Sequence, residues 1–218
     1  MRTLGLVLAA LVVAVPATRA QSPDPEAIVG RASRIYRNLN SLKADFVQTI
    51  QDRVQGDTLV SRGVVIQARN NLFAMRFSEP KGEAIVVDGK YVWTYTPSTA
   101  PNQVYRNPLP TDPIYGVNLL AALLDRPHDR YRTRYLARET IDGRAADVVE
   151  LVPVSEDAGF RKAVLWLDVD DALPRKIELD EGPGLRRSLS FTRLQPNAPY
   201  NRKTFEFDVP SGVRIIEG

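Results

Sequence analysis

The chain contains no cysteine in 218 residues. That excludes disulfides and thiolate metal sites, and it excludes lipid attachment to an N-terminal Cys. Histidine is nearly absent too. The single one, His128, stands between Pro127 and Asp129 in what reads as an exposed loop. A Ser-His-Asp site needs a base held by a buried acid, and no Gly-x-Ser-x-Gly elbow is present. No Gly-rich phosphate loop occurs, and nothing singles out a carboxylate pair for glycoside chemistry. Asp168, Asp170 and Asp171 cluster without the Gly and distal Glu of a calcium loop, so they read as a solvated turn. The sequence therefore presents no catalytic set, no metal site and no cofactor motif.

Long apolar runs are also scarce. Leu4 to Val15 follows Arg2 and precedes the small-residue stretch Thr18-Arg19-Ala20. It is too short for a stable membrane span and reads as the core of a signal peptide, residues 1–20, cleaved before Gln21. No second run of about twenty apolar residues follows. Residues 21–218 are then expected to form one soluble domain, placed in the periplasm or outside the cell. Without the signal segment, 27 basic and 26 acidic residues remain, interspersed along the chain. A nucleic-acid binder would show a concentrated basic stripe, so none is expected to bind here.

What is present is period-two alternation. Phe73, Met75 and Phe77 share one face of a strand, and Tyr91, Trp93 and Tyr95 share one face of the next, across an Asp88-Gly89 turn. Strands are predicted near 44–54, 58–68, 71–78, 83–88, 91–96, 130–138, 145–153, 161–169, 174–181, 186–195 and 204–208, with a further short one at Val104-Tyr105. A first helix opens at Asp24-Pro25-Glu26, an N-cap with Pro at the first helical position. Its expected apolar face is Ile28, Ala32, Ile35, Leu39 and Leu42. A second helix spans about Ile114 to Asp125, with Leu119, Leu120, Leu123 and Leu124 apolar and Pro127 ending it. About eleven strands with hairpin links and few helices make a mainly β fold. The sheet is antiparallel and curls into a barrel or half barrel, with helices over its concave apolar face.

Several motifs resemble the outer-membrane lipoprotein carrier family, the LolA family. They are Phe46-Val47-Gln48, Arg69-Asn70-Asn71-Leu72-Phe73, Val87-Asp88-Gly89-Lys90 leading to Trp93, Tyr95 and Pro97, Leu119-Leu120, and Phe205-Glu206-Phe207 leading to Pro210, Gly212 and Val213. Asn70 stands where the family often has Pro, and Met75 where some members have Trp. The resemblance implies an unclosed antiparallel barrel with a helical lid. It implies a periplasmic carrier, not an enzyme, that shields lipoprotein acyl chains and acts as a monomer. Acylated lipoproteins would come from an ATP-driven inner-membrane complex and pass to an outer-membrane receptor. Phe46, Phe73, Met75, Phe77, Trp93, Tyr95, Leu119, Leu120 and Leu123 would line the cavity. Arg69 matches the Arg that holds the lid shut through backbone carbonyls, here those of the Leu119–Leu124 helix. The alternatives are a carrier of other lipids or glycolipids and an envelope sensor. Sensor relatives usually carry an additional domain, whereas this chain ends at Gly218 just after the closing motif. The energetics call for such a shield, because a methylene is worth about 0.8 kcal/mol and a sixteen-carbon chain costs roughly 13 kcal/mol in water.

Overall fold

The computed structural model describes residues 22–110 and 118–218. The signal segment and the expected start of the second helix, 114–117, lie outside the described residues. Among the described residues, twelve strands form a single sheet in the order β12-β6-β5-β4-β3-β2-β1-β11-β10-β9-β8-β7. In chain order they are β1 (Ser41–Asp52), β2 (Asp57–Ala68), β3 (Leu72–Glu79), β4 (Ala84–Val87), β5 (Tyr91–Tyr95), β6 (Gln103–Pro108), β7 (Tyr131–Ile141), β8 (Arg144–Pro153), β9 (Lys162–Asp168), β10 (Pro174–Asp180), β11 (Leu185–Pro196) and β12 (Arg214–Glu217). Neighbours are antiparallel except β12, which runs parallel to β6. The sheet has two edges, β12 and β7, and so does not close.

The long strand β1 joins the two halves, pairing with β2 on one side and β11 on the other. Register shifts in β1, β2, β7 and β10 bend the sheet, since an extra residue on one strand sharpens local twist. Gly63 sits at the shift in β2. A Cβ there would collide with the Arg76 carbonyl and come within 2.9 Å of the Phe46 ring. Only glycine leaves room for Phe46, whose ring meets Phe77 edge-on at 5.2 Å.

Helix α1 (Pro25–Asn38) is capped by Asp24, whose Oδ1 accepts from Glu26 N at 3.0 Å. Its fully buried residues are Val29, Gly30, Ala32 and Ser33; of the predicted face Ala32 is among them, and Ile28 and Leu39 pack partly buried against the same core. Ile35 is exposed, and Leu42 belongs to β1. At Gly30 a neighbouring side chain leaves no room for anything larger. A Cβ on Gly30 would lie 2.9 Å from His128 Nε2. His128 is exposed, on the one-turn helix α3 (Pro127–Arg130) instead of a loop. Arg31 donates to the carbonyls of Val169 and Asp170 at 2.7 and 2.6 Å, tying α1 to the β9–β10 turn.

Topology places the other helix. Strands β6 and β7 are consecutive but lie towards opposite edges of the sheet. The connection between them must cross, and it carries α2 (Leu119–Leu124) with Leu120, Leu123 and Leu124 buried. These leucines join α1 and the inner faces of both sheet halves in one main core.

A second, smaller core occupies the opposite face of β2 to β6. It is covered by the chain after β11. The predicted strand at 204–208 is instead a 3-10 turn, Arg202–Phe205, followed by chain without strand pairing. Phe205 is fully buried and Phe207 stacks on Trp93 at 5.6 Å. Arg76 Nη2 holds this segment by donating to the carbonyls of Thr204 and Glu206 at 3.2 and 2.9 Å. In the Asp168 turn Asp170 is exposed as expected, but Asp168 is not. Asp168 is 2% exposed, its carboxylate engaged by Arg144 and by Arg175. Burial works against the charge, but those guanidiniums and the Asp170 and Asp171 N–H groups hold its pKa well below the usual carboxylate range.

Candidate functional site

Directly paired residues on neighbouring strands share a face, and this sorts the predicted cavity residues. Met75 pairs with Val65 and Ile85, and Ile85 pairs with Thr94. Trp93 pairs instead with Val86, which pairs with Ala74. Trp93 and Tyr95 therefore stand on the opposite face from Met75, in the second core. Trp93 Nε1 donates to Asp88 Oδ2 at 2.8 Å, while Asp88 Oδ1 accepts from Lys90 N and Tyr91 N. Burial disfavours the Asp88 charge, yet these bonds and nearby Arg202 leave its pKa lowered. The Asp-Gly-Lys-x-x-Trp stretch is thus a self-bonded turn.

An apolar cavity of about 90 Å³ remains on the concave face. Of the predicted residues, Phe73, Met75, Phe77, Leu119 and Leu120 line it. Phe46 and Leu123 are buried in the core beside it and do not line it. The sequence reading missed Val65, Ile85, Leu179, Leu189 and Phe191, which complete the apolar wall. The alternation of Leu189 and Phe191 along β11 is a signal for two of them. Gln48 and Arg187 also reach the cavity. Pockets for drug-sized ligands span roughly 300–1,000 Å³, so this cavity is smaller than such a site.

The cover is held by buried hydroxyls. Ser33 Oγ on α1 donates to the Leu124 carbonyl at 2.7 Å, and Tyr131 Oη on β7 donates to the Ala122 carbonyl at 2.8 Å. The last carbonyls of a helix have no partner within it, so these bonds satisfy the C-terminal end of α2. At its other end, Asn118 Oδ1 caps Ala121 N at 3.1 Å, and Asn118 Nδ2 donates to Gln67 Oε1 at 3.3 Å. Tyr36 Oη shares that acceptor at 2.9 Å. Burial pushes the Tyr36 hydroxyl pKa well above its usual value, keeping it a donor.

Arg69 does hold helix carbonyls, but on the other helix. Its Nε and Nη2 donate to Leu39 and Asn38 at 3.4 and 3.3 Å, at the end of α1. Both bonds are long and exposed. No bond from Arg69 to α2 occurs among the described residues. The reason is geometric: the turn after β2 lies beside the α1–β1 junction, where Ser41 pairs with Ala68.

A family model described as outer membrane lipoprotein carrier protein LolA matches residues 37–208. The outer-membrane lipoprotein carrier protein of Methylobacillus flagellatus is 28% identical over 185 residues, covering 83% of this chain and 84% of that protein. That of Neisseria meningitidis serogroup B is 24% identical over 211 residues, covering 97% and 94%. An uncharacterized conserved protein from Thermus thermophilus shares the fold, with a TM-score of 0.56 at 17% identity over 88% of this chain and 98% of that one. Since the family model spans most of the chain and the relatives align nearly end to end, the protein belongs to the LolA family of outer-membrane lipoprotein carrier proteins.

Proposed function

We propose that the protein is a soluble, monomeric periplasmic carrier that encloses the acyl chains of lipoproteins between the concave sheet and its helical cover. It accepts them from an ATP-driven inner-membrane releasing complex and delivers them to an outer-membrane receptor. It performs no chemistry on the cargo. The observation that carries this reading is the apolar cavity on the concave face, roofed by the one short helix α2.

The magnitudes are compatible with a reversible lid. Burying Leu120, Leu123 and Leu124 contributes about 1.5–3 kcal/mol each. An acyl chain of some sixteen carbons regains roughly 13 kcal/mol on burial, enough to displace those leucines and take their place. Adaptable Met75 suits a wall that must fit both leucines and lipid. The test is to load the purified protein with a lipoprotein released from inner membranes and measure its transfer to outer-membrane acceptor. Lipoprotein that stays membrane-bound in the presence of folded carrier overturns the proposal.

A further inference from the structure

The apolar cavity has two polar places, Asn118, already bonded to Gln67 and to Ala121 N, and a corner formed by Gln48 and Arg187. Gln48 on β1 is 9% exposed, and Arg187 on β11 lies beside it, its Nη1 donating to Gln48 Oε1 at 3.1 Å. A guanidinium only donates, so the Gln48 oxygen must face Arg187 and its NH2 must point elsewhere. That NH2 makes no hydrogen bond among the described residues. It is not a sealed-off donor, since Thr133 Oγ1 is the one fully buried side-chain polar atom without a partner among the described residues, so it is accessible to an incoming acceptor. Ser61, directly opposite Gln48 on β2, adds a buried hydroxyl on the same face.

The corner also lies where the concave face meets solvent. Two pairs further along β1 and β2, on the same face, Ile50 opposes Leu59, which is 53% exposed, and Val54 in the following turn is 76% exposed. A chain entering over these residues puts its tail among Phe73, Met75 and Leu120 and leaves its head at Gln48. Arg187 is not a free cation there. Its Nε donates to Glu181 Oε1 at 2.9 Å, and that carboxylate side chain is 6% exposed.

The geometry points to Gln48 and Arg187 as the headgroup subsite of the cavity, selecting neutral carbonyl acceptors, the ester and amide oxygens of acyl linkages, over free carboxylates. This rests on the cavity being the acyl site proposed above. Gln48 NH2 supplies a neutral donor, and Arg187 can offer remaining N–H groups without leaving Glu181. An ionised head would instead meet the buried Glu181 charge, and like charges at short range repel.

Monoolein and oleate carry the same chain on a neutral ester and on a carboxylate. Each is used to displace an environment-sensitive hydrophobic dye from the protein, at a pH where oleate is ionised. Wild type is expected to favour monoolein by about tenfold, one good hydrogen bond's worth. Gln48→Leu should remove the preference, cutting the monoolein-to-oleate affinity ratio by a similar factor, with each ratio read against that variant's own dye affinity. Glu181→Gln should strengthen oleate, and it decides the matter if Gln48→Leu does not fold. If both lipids displace the dye equally well from wild type and from the folded variants, the subsite is wrong while the cavity reading stands. If folded wild type binds neither dye nor lipid, the cavity reading falls and the subsite with it.

Discussion

Removing the two hydroxyls that clasp α2 should open the cover without unfolding the protein. Ser33→Ala deletes the 2.7 Å bond to Leu124 O, and Tyr131→Phe deletes the 2.8 Å bond to Ala122 O. Both changes keep the local packing. Alanine is the better helix former, so α1 itself should not weaken. Phenylalanine retains the Tyr131 ring beside Phe160, at 6.0 Å. In the closed state each variant leaves a buried carbonyl without its donor, at about 1–3 kcal/mol. In the open state water supplies that donor, so the cost falls on the closed state alone. Every 1.4 kcal/mol is about tenfold in population. Each single variant should therefore raise the open fraction roughly five- to hundredfold. The double variant should give less than the product, because both carbonyls belong to one six-residue helix. The assay is amide hydrogen exchange at Ala122 and Asp125, whose N–H groups bond to Asn118 O and Ala121 O within α2. Their exchange should quicken by those factors while β1 and β11 keep their protection. Association of a hydrophobic dye should quicken with it. Unchanged α2 exchange in a folded double variant would refute the idea that these hydroxyls hold the cover.

Trp93→Phe should lower stability by about 1–3 kcal/mol, since Asp88 loses its indole donor, yet leave dye affinity unaltered because the ring is on the other face. Met75→Ala should shift dye affinity, and chemical denaturation beside dye titration separates the two effects. Arg69→Leu should cost little, about 0.5–1 kcal/mol, because both its bonds are long and exposed. Hydrogen exchange should show loosening at the end of α1 before α2, and prompt fraying of α2 alone would contradict the assignment. Asp168 has a folded pKa below its unfolded value, so its contribution is complete above about pH 4 and is lost as pH falls through the folded pKa. Asp168→Asn should remove that acid-range loss and destabilise the protein at neutral pH by about 1–3 kcal/mol, because Arg144 and Arg175 lose a buried carboxylate although Arg175 keeps Asp171. Denaturation midpoints for both proteins across the acid range check the sign.

Much of the fold was legible because it is local. Alternation along Leu72–Glu79 and Tyr91–Tyr95 marks strands whatever they pair with, and Asp88-Gly89 marks its turn through bonds spanning three residues. Asp24 and Pro25 mark the start of α1 by the same short-range chemistry. The motif resemblance also read correctly as a family. Alternation, however, divides a strand's residues into two sets without saying which set faces in. Trp93 and Phe73 are equally aromatic and equally periodic. Only the pairings Val86 with Trp93 and Phe73 with Val87 put them on opposite faces.

The same limit explains the lid contacts. That Arg69 would seek helix carbonyls follows from its five donors and from the unpaired end of any helix. Which helix it finds depends on β2 ending beside β1, a contact between residues near 40 and near 68. Ser33 and Tyr131 carry no signal in sequence, because a hydroxyl is unremarkable until folding brings a bare carbonyl against it. Local pattern thus determined most of the elements, and the motif resemblance determined the family. Pairing register and the crossing from β6 to β7 decided which side chains meet, because they fix distances between residues far apart in the chain.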